Sequence, residues 1–247
     1  MNLLRNPILW RVLAVLFVLA IPFFLITSNV RWAFNSLRLY QYGFEKFHIT
    51  DNTGISPDEL MGAARQIRDY FNNDADVLDV QVKLDGVNTS IYGPREILHM
   101  RDVKGLVKGV YRVQEGAAAY IVVFALLGFV VWRRAFWRRL SRAALWGGAV
   151  TIAFVVVVGL LSLVGFSQLF TVFHMLSFAN NLWQLDPYTS YLLRMFPFGF
   201  WYDSTMFIAI ATVIEALVIG VPSWLALRWA KSRKADVPPP AASSAPS

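Results

Sequence analysis

The chain has 247 residues, of which 56% are hydrophobic, 15% aromatic and 16% charged, and its net charge is +7. Soluble domains carry about a quarter of charged residues, so this composition excludes an ordinary soluble enzyme. The sequence contains no cysteine, which excludes disulfide scaffolds, thiolate metal sites and cysteine nucleophiles together. The apolar residues lie in four blocks rather than being spread along the chain, and this pattern predicts a membrane protein.

The four apolar blocks are predicted to be transmembrane helices, because each can cross a hydrocarbon core about 30 Å thick with its flanking residues. The first follows Arg5 and Arg11, as in a signal peptide, but the sequence after it, SNVRWAFNSLRLY, offers no A-x-A cleavage site, which favours an uncleaved anchor. The predicted fold is a membrane α-helical protein with four transmembrane helices and a small extracytoplasmic α+β insertion between helices 1 and 2. The predicted segments are the N-terminal end with the first span (1–28), the α+β insertion (29–115), the second span (116–132), an Arg-rich loop (133–142), the third span (143–172), a second outer segment (173–204), the fourth span (205–230) and a disordered tail (231–247).

The positions of lysine and arginine predict the orientation. The N-terminus, the loop RRAFWRRLSR and the region after the fourth span hold eleven of the 23 cations and one acid, whereas the segments on the other face hold twelve cations and fourteen acids. Short cationic loops stay in the cytoplasm, so both termini and the Arg-rich loop are predicted to be cytoplasmic. The basic excess is therefore a topology signal, and we expect no nucleic-acid partner.

The longer outer segment has readable local order. Ser56 followed by Pro57 is a helix-start signal, and the apolar residues after it recur with helical period. Asp85-Gly86 separates two alternating segments and indicates a hairpin turn. The predicted elements are a helix at 57–71, strands at 80–84 and 87–92, and a helix at 95–111.

The second outer segment, residues 173–204, is rich in tryptophan, phenylalanine and tyrosine. A helix from Arg142 to His174 would be about 48 Å long, so His174 is predicted to emerge at the outer interface of the membrane. This aromatic composition is typical of an interfacial belt. It is equally the composition of a cradle for lipid chains, and both interpretations stay open.

The three histidines, His48, His99 and His174, are the candidate acid and base groups. Glu96 and Asp102 lie three residues before and after His99, on the same face of the predicted helix, where a carboxylate could orient the imidazole. The alternative is a solvated charged face. His174 is distinguished only by its predicted place at the interface, and the alternative for it is a hydrogen-bonded packing residue.

The common catalytic motifs are missing. The sequence contains no G-x-S-x-G, H-E-x-x-H, Walker A or G-x-G-x-x-G pattern, and we expect neither a cofactor nor a metal. Asp74 and Asp76 form a D-x-D pair in a polar turn, which is a weak metal signal. Glu215 is the one acid at predicted membrane depth and is therefore a functional candidate, with helix packing or a proton path as its expected role.

Two regions resemble the signature regions of the lipoprotein intramolecular transacylase family. They are HMRDVK at 99–104, preceded by REIL, and FHMLSF at 173–178, followed by NLWQLDP and LLRMFP. The outer insertion is similar as well, with LRLYQYGFEKFHIT and TGISPDELMGAARQIRDYF in the expected order. The resemblance covers about residues 10–230. It implies a four-span enzyme of the bacterial plasma membrane with its active site at the outer leaflet.

The resemblance also implies an activity. The family moves an acyl chain from the glyceryl sn-2 ester of a diacylglyceryl-modified N-terminal cysteine to the α-amino group of that cysteine, which gives a lyso-form lipoprotein. The implied partners are the diacylglyceryl lipoprotein and membrane lipid. No protein nucleophile is needed, because the substrate's own amine attacks.

The essential pair of the family maps onto His99 and His174. We expect His174 to be the base and His99 to be the acid or oxyanion partner, although the assignment could be reversed. Supporting roles are expected for five residues: Glu96 or Asp102 to orient His99, Lys104 at the oxyanion or a phosphate headgroup, and Trp183 and Asp186 to shape the second outer segment.

Two other functional classes stay open from the sequence. One is a non-catalytic membrane scaffold whose outer domain binds a partner. Under this alternative, substitution of His99 or His174 would have no effect on the phenotype. The other is a small transporter that uses Glu215. Four spans without an evident inverted repeat are few for an alternating-access transporter.

Overall fold

The computed structural model describes residues 6–235, most of which are helical. The elements in chain order are α1 (Pro7–Asn35), α2 (Leu37–Lys46), α3 (Ile49–Thr53), α4 (Pro57–Asn72), β1 (Gln81–Leu84), β2 (Val87–Ser90), α5 (Pro94–Trp132), a 3-10 turn (Arg133–Ala135), α6 (Phe136–Ser177), α7 (Tyr191–Met195) and α8 (Phe198–Ala235). Three helical stretches are long and apolar enough to cross a membrane, namely Pro7–Asn35, Pro94–Ser177 and Phe198–Ser232. The prediction of a membrane-type helical fold with a small strand pair is confirmed to this extent.

The stretch Pro94–Ser177 contains two helices, α5 and α6, joined by a sharp turn. Arg133 has a positive φ of 47° and ends α5. Directly after the turn, the fully buried ring of Phe136 packs against Phe124, with 5.6 Å between the ring centroids. The same ring lies so close to Gly128 that a Cβ there would come within 2.1 Å of it. Only glycine therefore permits this contact between the two helices.

The far ends of α5 and α6 also meet. The ring centroids of His99, near the start of α5, and His174, near the end of α6, are 6.1 Å apart. Since these helices touch both at their shared turn and at their far ends, they form an antiparallel hairpin. Within α6 the backbone departs from helical geometry at Gly165, nine residues before His174.

Close approach between helices holds α6 against α8 and α1. A Cβ on Gly148 would lie 2.9 Å from the carbonyl oxygen of Ala216 in α8, and a Cβ on Gly147 would lie 2.3 Å from the side chain of Ile21 in α1. Glycine allows this close approach because it has no side chain. Close packing in turn supplies much of the association energy of apolar helices in a membrane.

A buried polar contact links α1 to α8. The Asn29 Nδ2 group donates to Glu215 Oε2 at 2.8 Å, to Thr212 Oγ1 at 3.1 Å and to the carbonyl oxygen of Leu25 at 3.1 Å. The acid predicted at membrane depth is therefore paired with an amide across a helix interface.

The insertion between α1 and α5 follows the predicted local signals. Pro57 is the first residue of α4, and Ser56 Oγ accepts a hydrogen bond from the amide of Glu59 at 3.4 Å. Asp85 and Gly86 both have positive φ, 51° and 82°, which is the backbone of a type I′ hairpin turn. The predicted helix and strand pair are confirmed. Their core is continued by the first half of α5, whose Met100 and Val107 are buried in it.

The helices run further than the sequence indicates. α5 is continuous from Pro94 to Trp132, so the predicted boundary between the outer domain and the second span falls inside one helix. α8 continues to Ala235, five residues into the predicted tail, and the rest of that tail lies outside the described residues. In the first half of α5 the helix is supported by packing, since Met100 and Val107 are buried in the core of the insertion.

The α6–α8 contact gives a stability prediction. Gly148→Ala should lower the free energy of unfolding by about 1–3 kcal/mol, because the new methyl group meets a backbone oxygen that cannot move aside. Gly159→Ala is the matched control in the same helix, since nothing lies within 4 Å of its Cβ position, and it should be neutral or stabilise by up to about 1 kcal/mol. Thermal unfolding in detergent measures both, and equal behaviour of the two variants would contradict the packing described.

Candidate functional site

The two histidines form a buried pair at the far end of the α5–α6 hairpin. The exposed fractions of His99 and His174 are 7% and 8%, and their ring planes are inclined by 31°. The ring of Phe178 contacts both, with centroids 5.2 Å from His99 and 5.6 Å from His174. Trp183 lies 5.1 Å from His174. The pair therefore lies in an aromatic pocket built from α5, α6 and the segment that follows α6.

The hydrogen bond of His174 defines its tautomer. The Nδ1 atom is 2.8 Å from the carbonyl oxygen of Phe170, one helical turn earlier. A carbonyl oxygen can only accept, so Nδ1 carries the proton. In the neutral ring Nε2 is then the nitrogen with a free lone pair. The geometry thus equips His174 Nε2 to accept a proton.

His99 presents an unsatisfied polar atom. Among the described residues, none forms a hydrogen bond with its buried Nδ1. Leaving a buried polar group unpaired costs about 1–3 kcal/mol, and such groups in native proteins call for a specific explanation such as a functional role. The capacity of this nitrogen to form a hydrogen bond is therefore unused by the described residues.

Glu96 does not contact His99, although the sequence places it one turn away. It is 6% exposed, and its Oε2 accepts from the amide of Gly93 at 2.7 Å, at the start of α5. Its Oε1 accepts from Ser190 Oγ at 2.6 Å and from the amide of Leu192 at 2.8 Å. A glutamate in the first turn of a helix reaches back toward the helix start, which explains its direction. Glu96 therefore fastens the segment between α6 and α8 to α5, and both of its carboxylate oxygens form their hydrogen bonds there and at the start of α5.

Asp102 also forms its hydrogen bond away from His99. Its Oδ2 accepts from Asn180 Nδ2 at 2.8 Å. A second link joins the same parts of the chain, since the guanidinium of Arg95 donates to the carbonyl oxygen of Asn181. These contacts hold the segment that carries Phe178 over the histidine pair.

Lys104 lies outside the pocket. Its side chain is 6% exposed, and Nζ donates to Asn73 Oδ1 at 2.9 Å and to the carbonyl oxygen of Ala75 at 2.6 Å. The ammonium also lies 3.9 Å from the ring centroid of Tyr70. The structure therefore uses Lys104 to fasten the loop after α4, and two of its hydrogen bonds are made there.

Asp186 and Tyr92 stabilise the segment between α6 and α8, which contains α7. Asp186 accepts from the amide of Tyr188 and from Thr189 Oγ1, both at 3.0 Å, and so folds the turn before α7. Burial, and secondarily the charge of Glu96, raises the pKa of Tyr92. Its hydroxyl therefore stays protonated and donates to the sulfur of Met195 at 3.4 Å, which anchors α7.

His48 is not part of the pocket. It lies exposed at the corner between α2 and α3, with a left-handed backbone and its Nδ1 3.9 Å from Asp51 Oδ2. Within residues 6–235, no group of three His, Asp or Glu side chains lies close enough together to bind a metal ion. Sequence reasoning missed Phe170 and Phe178 as neighbours of the pair, although both are four residues from His174, the spacing of one helix face.

Glu96 gives the second prediction. Glu96→Ala should lower the free energy of unfolding by about 1–3 kcal/mol, because Ser190 and the amide of Leu192 lose a buried acceptor. Limited proteolysis should then cut within residues 178–190 at lower protease concentration than in the wild type. Glu45→Ala removes an exposed glutamate whose carboxylate accepts from Gln41 and should change stability by no more than about 0.5 kcal/mol. Unchanged protection of the segment in Glu96→Ala would contradict the role given to Glu96.

Known proteins resemble this chain in both sequence and fold. Residues 15–201 match the family described as lipoprotein intramolecular transacylase Lit. An uncharacterized protein from Aquifex aeolicus (strain VF5) is 21% identical over 226 residues, which cover 91% of this chain and 99% of that protein. The fold is similar to that of the membrane integral lipoprotein intramolecular transacylase Lit from Bacillus cereus, with a TM-score of 0.73 at 18% identity, covering 94% of this chain and 100% of the other. A structure of that protein with one histidine replaced by arginine gives a TM-score of 0.70 at 18% identity, over 95% and 97% of the two chains.

Proposed function

Because this chain belongs to the lipoprotein intramolecular transacylase family, and is thus a membrane acyltransferase, we propose that it makes lyso-form lipoproteins. It moves an acyl chain from the glyceryl sn-2 ester of a diacylglyceryl-modified N-terminal cysteine to the α-amino group of the same residue. The observation that carries this proposal is the buried pair of His99 and His174, which offers one nitrogen that can accept a proton and one polar nitrogen without a partner.

The reaction needs little from the protein beyond proton transfer and charge stabilisation. The amine nitrogen attacks the ester carbonyl, a C–N bond forms, and the bond between the acyl carbon and the glyceryl oxygen breaks. The ammonium gives up protons as it becomes an amide, and the glyceryl oxygen takes one to become a hydroxyl. Amine and ester belong to one molecule, so proximity supplies much of the rate. This suits a chain that contains no cysteine and no G-x-S-x-G motif.

The two histidines divide the proton transfers. His174 Nε2 is the base that deprotonates the amine, because its Nδ1–H is already bonded to the carbonyl oxygen of Phe170. His99 Nδ1, when protonated, donates to the oxyanion and then to the leaving glyceryl oxygen. The two rings are neighbours, with 6.1 Å between their centroids, which supports the action of both on one reacting centre.

The proposed topology has four spans, with both termini in the cytoplasm and the pocket at the outer leaflet. α5 has 39 residues and α6 has 42, which makes each about 60 Å long, and this supports a separate crossing of the bilayer by each. The arginines of the loop between them support a cytoplasmic turn. The histidine pair at the opposite end is then placed where the diacylglyceryl group of a membrane-anchored lipoprotein lies. Residues 29–115 and 173–204 form the extracytoplasmic part.

Replacing either histidine should abolish the transfer. We expect His174→Ala and His99→Ala each to reduce conversion at least about 100-fold, the usual contribution of a general acid or base. Mass spectrometry of the N-terminal lipopeptide of a co-expressed diacylglyceryl lipoprotein measures this, in a host unable to N-acylate it. His48→Ala is the matched control, because this histidine is exposed and outside the pocket, and its activity should equal that of the wild type.

Two results would contradict the proposal. If the lipopeptide keeps both ester-linked chains and a free amine with well-expressed wild-type protein, the chain does not perform the transfer, and the scaffold alternative is favoured. If His174→Ala and His99→Ala both convert the lipopeptide like His48→Ala, the reaction takes place elsewhere in the protein.

Glu215 separates the transacylase from a transporter. Its contact with Asn29 supports a packing role, and the oxygen of a glutamine at position 215 can accept the same hydrogen bond. Glu215→Gln should therefore keep lipopeptide conversion within about twofold of the wild type, as expected for a substitution that preserves the hydrogen bond. The same mass-spectrometric assay measures it, and loss of conversion to the level of His174→Ala would give Glu215 a functional role instead.

A further inference from the structure

The two edges of the β1–β2 hairpin differ in their hydrogen bonding to the rest of the described chain. On the outer edge of β1, Gln66 Oε1 accepts from the amide of Gln81 and Gln66 Nε2 donates to the carbonyl oxygen of Gln81, both at 2.9 Å. On the same edge, Glu59 Oε2 accepts from the amide of Lys83 at 2.9 Å. Side chains of α4 therefore cover the free edge of β1.

The strand register determines which main-chain N–H and C=O groups of β2 point away from β1. In an antiparallel pair, the residues that point outward on one strand face residues that point outward on the other. Gln81 pairs with Ser90, and Lys83 pairs with Asn88, so the main-chain groups of Asn88 and Ser90 point away from β1. The bond from the amide of Ile91 to Val80 at 3.2 Å fits this alternation.

This edge of β2 is open. Among residues 6–235, none is hydrogen-bonded to the outward main-chain groups of Asn88 and Ser90, and both residues are exposed. Val87 begins the strand with 66% of its surface exposed. An unpaired strand edge is a template for a further strand, and proteins normally cover such edges, as this one does on β1.

The open edge leads directly to the histidine pair. Three residues join Ser90 to the start of α5, and His99 is the sixth residue of that helix. The path from Ser90 to His99 is about 13 Å of extended chain followed by about 8 Å of helix. The end of the edge therefore lies within roughly 21 Å of His99.

We infer that the outer edge of β2 binds the peptide that follows the lipid-modified N-terminal residue of the substrate, as an added strand. This inference rests on the proposed function. Strand addition binds a peptide through main-chain hydrogen bonds, so one edge can serve substrates that differ in the side chains after the modified residue. Six extended residues span about 20 Å, so the peptide reaches Ser90 at about its sixth residue and Asn88 about two residues later.

Binding of lipopeptides of two lengths tests the inference. The purified chain in detergent micelles is titrated with S-diacylglyceryl-cysteine peptides of two residues and of about twelve residues, a length that passes the β2 edge, each with a fluorophore at its end. The wild type should bind the longer peptide about threefold to tenfold more tightly, the effect of one or two net hydrogen bonds.

Asn88→Pro removes the outward amide and spares the bonds between β1 and β2, since proline is tolerated on an edge strand whose N–H faces solvent. It should bind both peptides as weakly as the wild type binds the short one. Asn88→Ala is the matched control, because it keeps the amide and should keep the preference for length. Unchanged binding of the short peptide shows that each variant is folded.

Equal affinity of the wild type for both peptides would overturn the inference, and so would a length preference that survives Asn88→Pro. A wild-type dimer that Asn88→Pro dissociates would assign the edge to a second copy of this chain and overturn it as well. Conversion of the same peptides, followed by mass spectrometry, is read separately. Length-dependent binding without conversion would reject the proposed reaction and leave the peptide edge in place.

Discussion

The contact between the ring of Phe136 and the bare backbone of Gly128 sets the geometry on which the rest of the molecule depends. Phe136 is fully buried beside Phe124 and Trp10, so its position leaves no slack at the turn between α5 and α6. The histidines lie more than about 50 Å along the helices from this turn, and a small change of angle there would be magnified at the pocket. The distance between His99 and His174, which are 75 positions apart, therefore depends on the contact of Phe136 with Gly128, in which neither histidine takes part.

Buried polar contacts fix the positions of helices and segments relative to one another, which apolar packing alone does not determine. Helices that present leucine and valine to lipid tails gain little specificity from them. Asn29 against Glu215 fixes α1 on α8, and Glu96 against Ser190 fixes the outer segment on α5. Each joins elements that are far apart in the chain. Separating the partners removes a hydrogen bond that is shielded from water, so these contacts discriminate against alternative arrangements.

Local features were predictable from the sequence, and non-local ones were not. Ser56-Pro57 starts a helix and Asp85-Gly86 makes a turn because each acts on its own backbone. The continuity of α5 was not evident, since Gly105 and Gly109 each disfavour a helix by about 1 kcal/mol, a cost that packing in the outer core offsets. The pair of His99 and His174 followed from a resemblance between motifs, not from spacing. The partners of Glu96 could not be predicted, because Ser190 is 94 residues away and no periodicity relates the two.

The hydrogen bond from His174 to the carbonyl oxygen of Phe170 has a consequence for how the site tolerates change. Many catalytic histidines are oriented by a carboxylate side chain, which one substitution can delete. Here the acceptor belongs to the main chain of α6, and every amino acid at position 170 that keeps the helix provides the same oxygen. In the proposed reaction, the side chain at position 170 can therefore vary, and with it the aromatic wall beside His174, while the nitrogen that takes the proton stays defined. The shape of the wall and the tautomer of the histidine are set by different parts of the same residue, the side chain and the backbone of Phe170.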